Sequence, residues 1–356
     1  ILRGGAILGT GGGGEVAEGR ALIEDALAKG KSFDLVSIDE TPDDALFCTA
    51  YMLGAVSPLS EAEEKHYDRL EQSAEPAILT AYERLQSHLG RACYGTIPCE
   101  LGGSNTAIAF YAAAMSGHVI LDADPAGRAV PEVTHSTYYL AGLPAGPIVM
   151  ANEFGETFLA ENIHDDLRAE QIVRALAQAS RNDIAAIDHA LELGVLRNAL
   201  IPGTITKAMH MGATLRNAQA KGEDVPQAVA MAGGGFVAFT GQISQCDWRT
   251  EAGFTLGSMT LAGDGRHHGN SYHISIKNEN MAAWHNDVLH ASIPDMICVI
   301  DRDTHEPVTN PNYAVGQNLA VIILPAPEPF LSPKGLEAFG PRYLGLDSAY
   351  HPARPL

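Results

Sequence analysis

The chain has 356 residues and a formal net charge of −20, enough length for two domains with sizeable cores. An acidic chain without basic clusters excludes a phosphate-tracking nucleic-acid surface and docking on anionic lipid, and no apolar run approaches the ~20 residues of a membrane span. The five cysteines (Cys48, Cys93, Cys99, Cys246, Cys298) are scattered, odd in number and form no CxxC pair, which points to thiols in a reducing cytoplasm.

In chain order, Ala6-Ile7-Leu8 reads as a short strand, followed by Gly9-Thr10-Gly11-Gly12-Gly13-Gly14 and a helix from about Glu15 with Val16, Ile23 and Leu27 on one face. Glycine admits positive φ and leaves bare backbone N–H groups open to a ligand. A helix N-terminus adds unpaired donors and partial positive charge. The turn therefore reads as a binding turn for an anion, a carboxylate or a polar ring edge. No Gly-Lys-Ser/Thr follows it, so the common nucleotide motifs fit poorly.

Phe33–Ile38 reads as a strand, Ala45–Val56 as a second apolar stretch, and 61–90 as helical with a restart or kink at Pro76. Thr96–Glu100 is a short strand opening into a second glycine turn, Leu101-Gly102-Gly103-Ser104-Asn105, with Ser104 as N-cap of a helix over Thr106–Met115. Val119-Ile120-Leu121 is a buried strand ending in Asp122-Ala123-Asp124, and Ile148-Val149-Met150 is another, ending in Asn152-Glu153. Open α/β sheets bind ligands at the carboxyl edge of their strands. That edge would gather Gly11–Gly14, Gly103, Ser104, Asn105, Asp122, Asp124, Asn152 and Glu153 around one cleft.

Residues 168–180 read as helix, 183–201 carry no clear period, and Ile201-Pro202-Gly203-Thr204 leads into helices over about 205–220 and 225–232, with Thr204 as a cap. Beyond the Gly233-Gly234-Gly235 linker the pattern becomes short alternating strands from Phe236 to Leu324, as in a small barrel or sandwich. The expected fold is an α/β domain with a layered mixed sheet and helices (1–232), a smaller β-barrel-like domain (233–325), and an irregular tail (326–356) packed on the surface or returned to the first domain.

Asp122, Asp124, Arg128 and Glu132 form the densest chemical cluster. Neighbouring carboxylates push one another's pKa apart, which separates a base from an acid. Arg128 is suited to hold a substrate carboxylate. His135, or His267, His268 and His273 with Asp122 or Asp124, are candidates for a divalent metal, although no dense ligand spacing occurs. Cys99 is a candidate nucleophile without a histidine nearby in sequence. Asn278-Glu279-Asn280 reads equally as a hairpin turn or as a segment facing the cleft.

Several stretches together resemble one family. They are Gly4-Gly5-Ala6-Ile7-Leu8-Gly9-Thr10-Gly11-Gly12-Gly13-Gly14, Asp122-Ala123-Asp124-Pro125-Ala126-Gly127-Arg128-Ala129-Val130-Pro131-Glu132, Ile201-Pro202-Gly203-Thr204, Gly253-Phe254-Thr255-Leu256-Gly257, Asn278-Glu279-Asn280 and Ile293-Pro294-Asp295-Met296-Ile297. They are similar to the former "domain of unknown function 917" proteins, described as S-methyl thiohydantoin desulfurase or thiohydantoin desulfhydrase-like. The resemblance implies an α/β domain followed by a small β-barrel and a link to hydantoin-type ring catabolism. With the residues above, it implies a hydrolase for a small cyclic imide or thioimide. Asp124 or Glu132 would activate water, Gly11–Gly14 would hold the developing oxyanion or thiolate, and Arg128 would anchor the substrate. The alternatives are an ATP-dependent, oxoprolinase-like ring-opening enzyme and a catalytically silent ligand-binding subunit of one. A homo-oligomer is the ordinary expectation.

Overall fold

The computed structural model describes residues 1–55 and 58–356; Val56, the end of the expected second strand, lies outside them. The chain forms two domains. The first contains, in order, α1 (Leu2–Leu8), α2 (Val16–Ala28), β1 (Leu35–Val36), β2 (Leu46–Gly54), α3 (Glu61–Tyr67), α4 (Ala77–Leu89), β3 (Gly95–Pro98), α5 (Asn105–Ser116), β4 (Val119–Leu121), β5 (Ala123–Asp124), α6 (Thr137–Ala141), β6 (Ile148–Ala151), β7 (Thr157–Ala160), α7 (Asp166–Ala179), β8 (Asp183–Glu192), α8 (Leu193–Leu196), β9 (Ile201–Pro202), α9 (Thr204–Lys221) and α10 (Val225–Ala232). Its main sheet has the order β1-β4-β3-β2-β8-β6-β7. The β1, β4, β3 and β2 pairings are parallel, and β8, β6 and β7 complete the sheet antiparallel.

The second sheet is built from β10 (Phe236–Glu251), β11 (Phe254–Gly263), β12 (Ser271–Lys277), β13 (Glu279–His285), β14 (Val288–Ser292), β15 (Met296–Asp301) and β16 (Asn318–Leu324). Its order is β14-β13-β12-β11-β10-β16-β15, antiparallel throughout. It is a half-barrel rather than a closed barrel: β14 and β15 remain the two ends of the ladder.

The opening segment differs from its sequence reading. Ala6–Leu8 is helical, so the first glycine turn joins helix to helix. Three apolar residues set no period of their own, and packing decides the outcome. Gly4 lies so close to α9 that a Cβ there would collide with the Ala208 carbonyl. On α2 the contact face is Gly19, Leu22, Ile23 and Ala26, and Leu27 is exposed. Gly19 sets that face because it packs on the Gly103 backbone, where a larger residue would not fit. The segment without a clear period becomes β8, central in the sheet and buried from Ile184 to His189. Pro76 starts a fresh helix, α4, and Leu70 and Ala74 fall outside both α3 and α4. The tail is partly ordered as α11 (Pro333–Phe339), and it bridges the two domains. Phe330 and Phe339 are buried beside Met281 and Ile293, while Lys334 Nζ donates to the Tyr139 and Leu140 carbonyls of α6.

The Gly4 contact gives a prediction. Gly4→Ala overfills the α1–α9 interface and should destabilise the protein by about 1–3 kcal/mol. Denaturant unfolding would show a lowered midpoint; an unchanged midpoint would mean that α1 does not dock on α9 as described.

Candidate functional site

A cavity of about 950 Å³ lies between the domains, and its walls include Gly11, Gly13, Gly14, Ser104, Asn105, Glu100, Glu132, Glu153 and Glu279. The first glycine turn forms one wall. Gly11, Gly13 and Gly14 have positive φ, as does Thr10. The turn is clamped from the second domain. The Asn280 N–H donates to the Thr10 carbonyl at 2.8 Å, and the Asn310 N–H donates to that of Gly11 at 2.7 Å. Asn310 Nδ2 in turn donates to the Asn278 carbonyl and to Asn280 Oδ1. Asn278-Glu279-Asn280 therefore faces the cleft while also forming the bend between β12 and β13. Asn278 supplies the positive φ there, and its Oδ1 accepts from the Thr255 N–H.

Glu279 is the central consequence of that clamp. It is 2% exposed, and its Oε2 has no partner among the described residues. Its carboxyl lies against Gly12 so closely that a Cβ at Gly12 would collide with it. Burial drives its pKa well above the usual carboxylate range, and the nearby Glu100 charge adds to the rise. Glu100, at the end of β3, accepts from Asn105 Nδ2 at 2.7 Å and from the Val130 N–H at 2.8 Å. Burial nevertheless raises it to about 7. Asn105 is fixed at its other end, where Oδ1 accepts from the Met52 N–H. Two buried carboxyls thus face the glycine turn, both pushed up by burial, and Glu100, at about 7, can hold or release a proton near neutrality.

The acidic segment after β4 divides. Of its four charged residues, Glu132 alone joins the glycine turn in the cavity wall. Burial pulls Glu132 upward, but His135, Lys277 and Tyr343 outweigh that pull and leave it below its ordinary range. Lys277 Nζ lies 2.5 Å from its Oε1, and the Tyr343 hydroxyl donates to the same oxygen. The other three members lie outside the cavity walls, contrary to the common cleft expected for them. Asp122 caps α9: Oδ1 accepts from the Ile205 and Thr206 N–H groups and Oδ2 from the Thr206 hydroxyl. Asp124 is fully buried, and its Oδ2 accepts from the Ala126 and Gly127 N–H groups. Its Oδ1 has no partner in hydrogen-bond geometry among the described residues, and burial raises Asp124 to about 7 against the pull of its N–H donors and the neighbouring Thr204 hydroxyl. Arg128 is fully buried. It donates to the Ala129, Pro294 and Asp295 carbonyls and the Thr10 hydroxyl, and it lies 5.0 Å over the Phe339 ring. It joins the domains, and it lies outside the cavity walls where a substrate carboxylate would be met.

Other expected residues also take structural positions. Gly103 packs against the start of α2 and does not line the cavity. Asn152 holds the β6–β7 turn through Phe154 and Glu156. Glu153 reaches the rim, where Arg181 Nη1 lies 3.3 Å away. Ser104 stands at the N-cap of α5 without the expected capping hydrogen bond, and Gly203 rather than Thr204 is the N-cap of α9. Cys99 lines the cavity, but burial and then the Glu100 and Asp188 charges push its thiol well up, away from thiolate reactivity. His267 packs on Phe239 at 4.6 Å, and His273 meets Thr260; neither lines the cavity. His135 is buried against Phe339 and Tyr343, and burial lowers it to about 3. Among the described residues, no three His, Cys, Asp or Glu side chains gather as a metal site.

Residues 1–162 match the S-Me-THD-like N-terminal domain, and residues 164–353 match the S-Me-THD-like C-terminal domain. The chain belongs to this S-methyl thiohydantoin desulfurase-like family. No curated protein matches it significantly. A crystal structure of a protein from Chromobacterium violaceum shares the fold at TM-score 0.75 and 22% identity, covering 99% of this chain and 96% of the other. No helix among the described residues is long and apolar enough to cross a membrane.

The raised Glu100 pKa has a stability consequence. The folded state holds this proton up to about pH 7, whereas the ordinary value is 4.5. The folded protein therefore binds more protons in that interval, and its stability falls as pH rises from about 4.5 through 7. Glu100→Gln should flatten this slope when unfolding free energy is followed against pH. An unchanged slope would show that Glu100 does not titrate as described.

Proposed function

We propose that the protein is a hydrolase for a small five-membered cyclic imide or thioimide of the hydantoin or thiohydantoin type, bound in the interdomain cavity. The observation that carries this is Glu279, buried beneath the glycine turn with one carboxyl oxygen unpartnered. A neutral carboxyl presents a donor and an acceptor side by side, which matches the CO–NH edge of such a ring. The family description supplies the ring chemistry. Carboxyl side chains outnumber Lys29, Arg174 and Arg181 in the wall, which suits an uncharged ring better than a polyphosphate.

In the proposed reaction, water attacks the ring carbon that bears oxygen or sulfur. For a sulfur substituent, the new C–O bond replaces the C–S bond, and the sulfur leaves as a thiol after taking a proton. Glu279, kept protonated by burial and by Glu100, supplies that proton. The glycine turn faces the charge that develops on the attacked group. Water activation does not fall to Asp124 in this scheme, because its carboxyl is bound to its own turn. Nor does it fall to Glu132, whose low pKa and Lys277 partner make it a weak base.

Glu279→Gln keeps the shape and removes the acid. Turnover of an S-methylated 2-thiohydantoin should fall by roughly 100-fold, the usual weight of one proton-transfer group, with ring affinity retained in calorimetric titration. Gly12→Ala should lower turnover as well, by displacing Glu279. If wild-type protein neither binds nor converts hydantoin, 2-thiohydantoin or the S-methylated ring, the proposal fails.

A further inference from the structure

A second group of polar residues lies in the wall of the same cavity, and none of it is used above. His189 and Asp188, in β8, both line the cavity, as do Tyr51, Tyr138, Thr49 and Cys99. His189 Nδ1 lies 2.8 Å from Asp188 Oδ1. A carboxylate oxygen only accepts, so Nδ1 carries the hydrogen, and in the neutral imidazole Nε2 is then a lone pair. Asp188 is itself held, because its Oδ2 accepts from the Tyr51 hydroxyl at 2.8 Å. The imidazole stacks on the Tyr138 ring at 4.1 Å, and the Tyr138 hydroxyl is tied to Thr49 at 3.0 Å. His189 is 3% exposed, and its Nε2 has no partner among the described residues.

The backbone is also unusual at this point. His189 has φ +43, in the left-handed region that non-glycine residues rarely occupy. The β2–β8 ladder shifts register here: Phe47 faces Leu191 and Thr49 faces Asp188, so His189 and Ala190 together oppose Cys48. A bulge of this kind re-aims a side chain, and bulges of this sort collect beside active sites. His189 thus turns away from an ordinary strand position while Asp188 keeps its pairing with Thr49, and the Asp188 and Tyr51 hydrogen bonds and the Tyr138 stack hold the imidazole in place.

We propose that His189, oriented by Asp188, is the base that takes the proton from the water attacking the ring in this cavity. The proposal rests on the ring-hydrolysis reading for its substrate only. Nε2 accepts one proton as the water oxygen bonds to the ring carbon. The imidazolium is balanced by Asp188, and the leaving group takes its proton from Glu279. Afterwards His189 releases its proton and Glu279 regains one through solvent, which closes the cycle with one water consumed. Asp188 and Tyr51 are positioning residues, acting through the imidazole.

Two measurements test this, and the first needs no substrate. Nitrogen-15 NMR of histidine-labelled full-length protein should show His189 with a protonated Nδ1 and a lone-pair Nε2, and Asp188→Asn should shift the proton to Nε2. A wild-type His189 carrying hydrogen on Nε2 overturns the proposal, even if no ring is ever converted. The second uses the S-methylated 2-thiohydantoin. His189→Gln should lose roughly 100-fold in turnover with ring affinity kept, and added imidazole should restore part of the activity of His189→Gly. Near-wild-type turnover in His189→Gln overturns the assignment while leaving the hydrolase reading intact.

Discussion

The structure depends on the docking of the second domain onto the first glycine turn. Two backbone hydrogen bonds, from Asn280 to Thr10 and from Asn310 to Gly11, hold the turn by its carbonyl oxygens. Arg128 adds a third tie, because it binds the Thr10 hydroxyl with one arm and the Pro294 and Asp295 carbonyls with another. A bend of consecutive glycines has little conformational preference of its own. It becomes a fixed wall only because partners from a distant part of the chain fill its carbonyl positions. The same contacts carry Glu279 against Gly12, where it fits only because Gly12 has no Cβ to exclude it.

Burial at this junction explains why the acidic residues differ so much in behaviour. A carboxylate in an apolar, water-poor site is costly to ionise unless cations or N–H groups stabilise it. Glu132 has Lys277 and Tyr343 and stays ionised. Glu100 has two neutral donors, which is not enough, and its pKa rises to about 7. Glu279 has an oxygen without a partner among the described residues and a neighbouring carboxyl, and it too is pushed well up. Arg128 makes four hydrogen bonds, three to carbonyls and one to a hydroxyl, and none to a carboxylate. Its charge pulls both Glu100 and Glu279 down, but by less than burial pushes them up.

Much of this was legible in the sequence, and the failures share a cause. The alternation of helices and strands, the strand ends at Glu100 and Asn152, and the shift to short antiparallel strands after Gly235 follow from local periodicity and glycine placement. Ala6–Leu8 was not legible as a helix, because its state is decided by contact with α9, some two hundred residues later in the chain. Asp122 looked chemical because it sits at a strand end, yet a helix N-terminus formed by Ile205 and Thr206 claims it. Glu279 was half visible: the Asn-Glu-Asn bend showed as a turn, but nothing local says that Gly12 lies beneath it. Asp188 and His189 were hidden altogether, because the bulge that aims them lies in a segment whose apolar pattern it interrupts.

The two chemical groups of the cavity come from opposite sides of the fold, and this has a physical logic. Glu279 arrives from the half-barrel, whereas Asp188 and His189 belong to the central strands of the first sheet. Placing them on separate domains keeps them apart, and lets each take its protonation state from its own surroundings. For Glu279 that is burial beside another carboxyl. For His189 it is a carboxylate that fixes the hydrogen on Nδ1, with a stacked Tyr138 that leaves Nε2 open. In the proposed reaction, the domain clamp at Thr10 and Gly11 would set how far Glu279 stands from His189.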